Sequence, residues 1–227
     1  MQDVERVERL RDAQRKATDL FTAIEAAGII AAGVTERQAN EAIKKLAAER
    51  LGVETHWHKR VVRAGVNALE PYHSNPPDRA IGTEDIVYLD LGPVFEEWEA
   101  DFGRTYVIGD DPERHRLRDA LPVVWAAGRE HFEATPRITG SELFAFMVEQ
   151  AAAHRYEWGG TIAGHLVGDF PHADAEGSKD YSRIAPANDR PLRGVDSAGN
   201  VAHWILEVHL VDREREIGGF YEELLDI

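Results

Sequence analysis

The sequence predicts an α+β domain in which helices flank a curved antiparallel sheet. Helical and strand-like patterns follow one another in a mixed order along the chain, which is typical of this class. The chain has 227 residues, 43% of them hydrophobic, and can therefore form a sizeable core of its own. It shows neither internal repeats nor low-complexity segments. We therefore expect a single domain over residues 1–227.

Four segments show helical periodicity, and Thr35 is a suitable N-cap for the second of them. These segments are residues 4–27, 35–51, 112–134 and 140–156. Five segments show strand-like patterns. These are residues 56–66, 86–89, 103–108, 203–211 and 219–227. The stretch 169–200 is rich in Pro, Gly, Asp and Arg, and we expect an irregular region there, of the kind that often shapes a substrate pocket.

Charge and hydropathy exclude several classes of protein. With 26 basic and 41 acidic residues the net charge is −15, which repels nucleic-acid phosphates. No segment approaches the roughly 20 apolar residues of a membrane span, and the charged N-terminal residues do not resemble a signal peptide. The absence of cysteine excludes a disulfide framework and a thiolate metal site. We expect a cytoplasmic protein that binds neither nucleic acid nor a membrane.

Two aspartates lie at the ends of two neighbouring predicted strands. Asp90 closes the apolar run 86–89, and Asp101 precedes the next strand. Gly92 and Pro93 between them can form a turn. Two strands joined by a short loop bring both carboxylates together, and carboxylates can bridge two divalent ions about 3.5–4 Å apart. An aspartate at a strand end is more often a turn former or a helix cap, so this pair alone is weak evidence.

Three further candidate ligands lie downstream. His165 is flanked by glycines, which let the backbone approach a metal closely, and neutral imidazole is a common ligand for Zn, Fe, Co or Mn. Glu207 stands in the middle of an apolar strand, where a carboxylate is costly to bury unless it is paired or bound to a cation. Either Glu222 or Glu223 faces the same way as Glu207 from the last predicted strand.

In this order the candidate ligands resemble those of the pita-bread metallopeptidases, the family that contains methionine aminopeptidases, aminopeptidase P, prolidase and the non-peptidase creatinase. The family pattern has a first Asp in D-x-G, a second Asp before R-T, a His in G-H-x-x-G and two late Glu residues. The matching residues are Asp90 with Gly92, Asp101 with Arg104 and Thr105, His165 with Gly164 and Gly168, Glu207, and Glu222. The resemblance covers nearly the whole chain and implies a single pita-bread catalytic domain.

The resemblance also implies two divalent metal ions as cofactors, drawn from Mn, Co, Fe or Zn. In this interpretation Asp90 and Glu222 bridge the two ions. Asp101 binds one ion, and His165 and Glu207 bind the other. A water activated by the ions attacks the amide carbonyl, and Glu207 doubles as the base that handles its proton.

Other histidines are candidates for the substrate side of the site. His73 and His172 match two histidines that the family places there, and either can donate a hydrogen bond to the oxyanion. His209 shares a predicted strand face with the first of the two late glutamates, so it is a candidate for substrate binding. His56 and His58 lie at strand spacing, and nothing acidic nearby completes a site with them, so a partly exposed strand is the favoured interpretation.

We therefore predict a metallopeptidase, an aminopeptidase or dipeptidase that acts on small peptides. It is nearest the aminopeptidase P and prolidase branch, with Xaa-Pro bonds favoured. Ala173 and Val208 depart from the family pattern, where Glu and Pro are usual, and leave the substrate open. The alternatives are a creatinase-like hydrolase of a non-peptide C–N bond and a catalytically silent peptide-binding module. Family habit suggests a homodimer, although no residue marks an interface.

Overall fold

The computed structural model describes residues 3–171, 181–196 and 198–227 and contains four α-helices in that part of the chain. They are α1 (Asp3–Ala26), α2 (Glu36–Leu51), α3 (Pro112–Ala134) and α4 (Gly140–Ala153). All four predicted helices are confirmed. Helix α4 ends before the predicted residue 156 because Arg155 adopts a φ of 67°, outside the right-handed helical region. None of these helices is long and apolar enough to cross a membrane.

Side-chain caps explain where two of the helices begin. At α2, Thr35 accepts a hydrogen bond from the backbone N–H of Gln38, and the Gln38 side chain accepts one from the N–H of Thr35. This reciprocal pair is a capping box, and it confirms Thr35 as the predicted N-cap. Thr139 and Glu142 form the same arrangement at the start of α4.

Nine strands occur among the described residues. They are β1 (Val61–Ala64), β2 (Ile86–Leu91), β3 (Val94–Phe95), β4 (Trp98–Glu99), β5 (Phe102–Val107), β6 (Glu157–Trp158), β7 (Gly164–Val167), β8 (His203–Asp212) and β9 (Ile217–Leu224). Seven form one sheet in the order β1-β2-β5-β9-β8-β6, with β7 also paired to β8, and β3 pairs with β4 alone. All of these strands pair in antiparallel fashion. This architecture confirms the predicted α+β class.

The helices pack against the large sheet through two hydrophobic clusters. Leu89 of β2 belongs to the cluster that contains the buried side chains of α1 and α2. Leu206 and Val208 of β8 belong to the cluster formed with α3 and α4. Side chains alternate between the two faces of a strand. Asp90 follows Leu89, and Glu207 lies between Leu206 and Val208, so these two carboxylates project from the side opposite those helix contacts.

One row of paired residues brings three acids together across the sheet. Asp90 pairs with Gly103, Gly103 pairs with Glu222, and Glu222 pairs with Glu207. Directly paired residues of antiparallel strands point to the same face, so the three carboxylates share one side of four adjacent strands. Gly103 leaves room in this row, because a Cβ there would lie 2.6 Å from Cδ1 of Phe220.

The predicted strand over residues 56–66 is wrong over most of its length. Strand β1 occupies only Val61–Ala64, and a 3-10 helix follows at Gly65–Leu69. Gly65 ends the strand with a φ of 52°, which glycine adopts without steric cost. Before β1, Trp57 and His58 form a bend whose backbone N–H at Trp57 donates to the carbonyl of Gly92 at 2.9 Å. This bend places His58 beside the row of acids.

Candidate metal centre

Asp101 lies at the centre of a cluster of ionisable side chains. It directly precedes β5 and is 4% exposed. Its Oδ1 lies 3.1 Å from Nε2 of His58, and its Oδ2 lies 3.0 Å from Nε2 of His165. One buried carboxylate therefore has an imidazole at each of its two oxygens.

Two groups of three side chains can each hold a metal ion, and Asp101 belongs to both. The first group consists of His58, Asp90 and Asp101, and the second consists of Asp101, His165 and Glu222. Within each group the ligand-capable atoms lie within 4.8 Å of one another. Asp101 is the carboxylate that both groups share. The bridging roles that the sequence interpretation gave to Asp90 and Glu222 remain predictions.

Strand β7 determines the position of His165. A Cβ at Gly164 would lie 2.0 Å from the carbonyl oxygen of Ile205, so only glycine allows β7 to pair so closely with β8 here. Nδ1 of His165 lies 2.8 Å from the carbonyl oxygen of Leu166, which can only accept, so Nδ1 carries the proton. Nε2 therefore faces Asp101 and lies 3.7 Å from Oε1 of Glu222.

The two neighbouring glutamates of β9 point in opposite directions. Glu222 is 2% exposed and enters the group that contains His165. Glu223 instead pairs with the guanidinium of Arg104. Glu207, the register partner of Glu222 on β8, faces the same side but belongs to neither group of three.

His58 is the residue that the sequence interpretation missed. Its side chain is only 8% exposed and contacts both Asp101 and Asp90, so the expectation of a partly exposed strand position without acidic neighbours is wrong. The contact with Asp101 spans 43 residues of sequence. Because the bend before β1 creates that contact, no local pattern could have revealed it. The nearest signal was Gly92, whose missing Cβ leaves space for the His58 ring.

Burial and mutual repulsion shift the pKa values of the acids. Burial raises the pKa of Asp90 to about 7, with His58 opposing the shift and Asp101 adding to it. Burial likewise raises the pKa of Glu207 to about 7 and holds that of Glu222 well above its ordinary range. Asp101 behaves differently, because His58 and His165 overcome the effect of burial and hold its pKa well below its usual range. Negative charge is thus concentrated at Asp101.

The side chains present fit divalent metal ions. Oε2 of Glu222 is buried and has no hydrogen-bond partner among the described residues. A buried carboxylate oxygen without a partner is costly, and Glu207 and Glu222 would repel each other in direct register when both are ionised. A cation between these groups would remove both costs. Carboxylate oxygens with imidazole nitrogens are a donor set that suits Mn, Fe, Co and Zn.

The three other predicted site histidines lie in different settings. His73 is exposed, on a loop whose carbonyl groups at Pro71 and Ser74 accept hydrogen bonds from Arg63 at 2.9 and 2.8 Å. His172 lies outside the described residues. His209 is 4% exposed, and its Nε2–H donates to the carbonyl of Ala68 at 2.9 Å. The roles of all three in substrate binding remain predictions.

The family model of metallopeptidase family M24 matches residues 8–217 of this chain. Two Xaa-Pro dipeptidases are similar in sequence. The protein from Pyrococcus horikoshii is 27% identical over 144 residues, which cover 63% of this chain and 38% of the relative. The protein from Lactobacillus delbrueckii subsp. lactis is 30% identical over 112 residues, which cover 49% of this chain and 30% of the relative. The matches thus span well under half of either relative.

Solved structures show the same fold. A prolidase from Thermococcus sibiricus superimposes with a TM-score of 0.77 at 18% identity, covering 100% of this chain and 58% of that one. An X-Pro aminopeptidase from Thermotoga maritima gives a TM-score of 0.75 at 21% identity, covering 98% of this chain and 58% of that one. These similarities confirm the predicted pita-bread fold. With the family match over most of its length, the chain belongs to metallopeptidase family M24.

Proposed function

We propose that this protein is a hydrolase dependent on two divalent metal ions that cleaves peptide bonds near the N-terminus of small peptides, with Xaa-Pro bonds favoured. The observation that carries this proposal is the pair of ligand groups that share Asp101. Two such groups with one common carboxylate are what a site for two adjacent ions requires. The similarity to two Xaa-Pro dipeptidases supports the choice of bond.

The residues proposed to hold the ions are the five predicted from the sequence, Asp90, Asp101, His165, Glu207 and Glu222. Bound divalent ions supply Lewis acidity to the attacking water and to the scissile carbonyl. Asp101 contributes a localised negative charge, since its two neighbouring histidines keep its pKa low. Glu222 contributes an oxygen that has no other described partner. The donor set favours Mn, Co, Fe or Zn over a structural zinc site built from thiolates.

Glu207 is the proposed base. It faces the cluster from the middle of β8. A carboxylate in this position can take a proton from water and return it to the leaving amine. His73 and His172 are proposed to donate hydrogen bonds to the substrate oxyanion, an effect worth about 2.7–4 kcal/mol for one donor in a comparable site.

A panel of substrates tests this function. Metal-stripped protein is supplied with Mn, Co or Zn and assayed against Met-Ala-Ser, Ala-Pro, Ala-Pro-Pro and creatine. We expect metal-dependent release of the N-terminal residue, fastest from a peptide with proline in the second position. The Asp101→Asn variant should be inactive, and Asp110→Asn, which neutralises an exposed aspartate, should retain full activity.

Each other outcome identifies a different function. Metal binding with hydrolysis of creatine alone would replace the peptidase by a hydrolase of non-peptide C–N bonds. Peptide binding without any hydrolysis would indicate a silent binding module. Failure to bind any of the metals would overturn the proposed mechanism.

A further inference from the structure

We propose that His58 is a ligand of the metal ion held by Asp90 and Asp101, so that each of the two ions has an imidazole ligand. This inference rests on the proposed two-metal function and extends the ligand set beyond the five residues predicted from the sequence. In that set only one histidine, His165, binds metal. The structure adds a second histidine on the other side of Asp101.

The distances place His58 in the position of a ligand. Its Nε2 lies 3.1 Å from Oδ1 of Asp101 and 3.5 Å from Oδ1 of Asp90. The ligand atoms of these three side chains lie within 4.8 Å of one another, so all three can contact one ion. The His58 side chain is 8% exposed and the two carboxylates are 9% and 3% exposed, so the group is largely withdrawn from water.

The orientation of the ring is also that of a metal ligand. Nδ1 of His58 lies 2.7 Å from the carbonyl oxygen of Lys59, so Nδ1–H donates and Nε2 faces the carboxylates. His165 has the same arrangement, with Nδ1 at 2.8 Å from the carbonyl of the next residue. Histidines that bind metals usually donate their second ring N–H to a carbonyl or carboxylate, which fixes the tautomer and the direction of the free nitrogen.

The bend that carries His58 is attached to the backbone beside both aspartates. The N–H of Trp57 donates to the carbonyl of Gly92 at 2.9 Å, and its indole Nε1–H donates to the carbonyl of Ala100 at 3.1 Å. Gly92 lies two residues after Asp90, and Ala100 directly precedes Asp101. These two hydrogen bonds therefore position the bend, and His58 with it, relative to the carboxylates of Asp90 and Asp101.

Gly92 has a defined role in this arrangement. A Cβ at Gly92 would lie 2.1 Å from Cδ2 and 2.4 Å from Nε2 of His58. The glycine of the D-x-G sequence thus allows the imidazole to approach the backbone that follows Asp90. The same Cβ would lie 2.6 Å from the indole Nε1 of Trp57, so a larger side chain at this position would displace both His58 and the bend that carries it.

A second imidazole would change which ions the centre prefers. Oxygen-only sites suit Mg and Mn, whereas imidazole nitrogen strengthens binding of Zn, Co, Fe and Ni. Without His58, this group would offer the ion only the two carboxylates of Asp90 and Asp101. We call the two groups of three the His58 half and the His165 half of the centre. With His58 as a ligand, we expect both halves to favour Co or Zn over Mn.

Metal titration of the whole chain tests the proposal. Metal-stripped protein is titrated with Co²⁺ by calorimetry, and the visible absorption of bound Co²⁺ is recorded in parallel. We expect two binding events for the unmodified protein. In His58→Asn one binding event should keep its affinity, and the affinity of the other should fall by at least about tenfold. Tenfold is the lower end of the loss of metal affinity seen when a group that supports a metal site is removed. The loss should be smaller with Mn²⁺ than with Co²⁺.

Two further variants separate ligand loss from general disturbance. His56→Asn removes an imidazole from the same segment, and Nε2 of His56 has no hydrogen-bond partner among the described residues. It should bind two Co²⁺ ions as the unmodified protein does. Gly92→Ala retains every donor but crowds His58 and the Trp57 indole beside it, so it should show the same weakened event as His58→Asn. Circular dichroism of each variant reports whether it is folded.

The possible results are distinguishable. If the unmodified protein binds no Co²⁺, the proposed function fails. If it binds two ions and a folded His58→Asn binds both equally well, His58 is only an ion-pair partner of Asp101, and the inference is overturned. Should His58→Asn not fold, ¹⁵N NMR of the unmodified protein decides. Zn²⁺ should shift the ring Nε2 signals of both His58 and His165, and a shift at His165 alone would overturn the proposal.

Discussion

The two histidines beside Asp101 form a natural comparison. His165 and His58 contact different oxygens of the same carboxylate at 3.0 and 3.1 Å, and each directs Nδ1–H to the carbonyl of the residue that follows it. Their supports differ completely. His165 lies on a strand whose register with β8 determines its position. His58 lies on a bend that is held by hydrogen bonds from Trp57 to the backbone carbonyls of Gly92 and Ala100.

This difference shows that one kind of ligand geometry can be built in two ways. On the His165 side, strand alternation and the pairing of β8 with β9 place the ligands, so a local sequence pattern identifies them. On the His58 side, hydrogen bonds between distant segments place the ligand. The following predictions test whether the two halves are equivalent in chemistry although they differ in construction.

The largest effect is expected at the residue that both halves share. Asp101→Asn removes the charge that lies between His58 and His165. We expect both metal-binding events to weaken by at least about 100-fold, since loss of a shared ligand should exceed the 10–100-fold effect of a supporting group. Calorimetric titration with Co²⁺ measures both events. If one event survived unchanged, Asp101 would belong to one half only.

The next effect should fall on the His165 half alone. Glu222→Gln removes a member of that group, whereas Glu223→Gln changes the adjacent residue, which pairs with Arg104. Metal that binds only the folded state stabilises it by about 2.7 kcal/mol at 100 times its Kd. We expect thermal melting to show that excess Mn²⁺ or Co²⁺ stabilises Glu223→Gln like the unmodified protein and Glu222→Gln much less. Equal stabilisation of the two variants would remove Glu222 from the centre.

The third effect is a pH dependence of the metal-free protein. The pKa values of Asp90 and Glu207 rise from 3.8 and 4.5 to about 7 in the folded state. At these two groups the folded state binds more protons than the unfolded state, so their contribution to stability falls as the pH rises from about 4 to about 7. Burial lowers the pKa of His56 and of His209 to about 4, so these two groups act in the opposite direction up to about pH 6.5. Asp101 and Asp90 raise the pKa of His58 to about 9 against the effect of burial, and its contribution is present below about 6.5 and lost as the pH rises through 9.

Melting of chelator-treated protein across this range provides the measurement. We expect the melting temperature to fall by several degrees between about pH 5 and about pH 9. Asp90→Asn should show a shallower fall, because one titrating group has been removed. Excess metal should reverse the trend between pH 5 and pH 7, because the ligands bind metal in their deprotonated form. A metal-free protein that becomes more stable with rising pH would contradict these pKa directions.

The smallest effect on metal binding is expected at His209. It lies two residues beyond Glu207, but its Nε2–H is bonded to the carbonyl of Ala68 and its ring lies 5.8 Å from that of Tyr88. His209→Ala leaves that carbonyl without its donor, so we expect a loss of about 1–3 kcal/mol in the free energy of unfolding and unchanged metal affinity.

The kinetics of the same variant test the predicted substrate role of His209. Its KM and kcat for Ala-Pro are compared with those of Glu207→Ala. A raised KM with unchanged metal affinity would support substrate binding by His209. Unchanged kinetics of the folded fraction would remove His209 from the substrate site.

Local patterns predicted much of the fold. The pattern over residues 112–134 matched α3 at both ends, because Asp111 caps the helix and Pro112 begins it. The terminal strands were also predicted, since both segments are rich in apolar residues and a charged turn separates them. The strand over residues 56–66 was not, because the φ of Gly65 and the hydrogen bonds of Trp57 are tertiary features.

The same distinction applies to the candidate site. Asp90, Asp101, His165 and Glu222 stand in patterns that could be recognised, and the structure brings them together. The common role of Asp101 could not be predicted, because it depends on which carboxylate oxygens face which histidine. His58 could not be predicted either, since the residues that position it follow it by dozens of positions in the sequence.

Anomalous diffraction from crystals loaded with Co²⁺ tests the central claim most directly. An anomalous difference map at the cobalt absorption edge locates each ion without reference to activity. We predict two peaks about 3.5–4 Å apart, one among Asp101, His165 and Glu222 and the other among His58, Asp90 and Asp101. A single peak, or no peak beside Asp101 in fully loaded crystals, would contradict a two-metal centre.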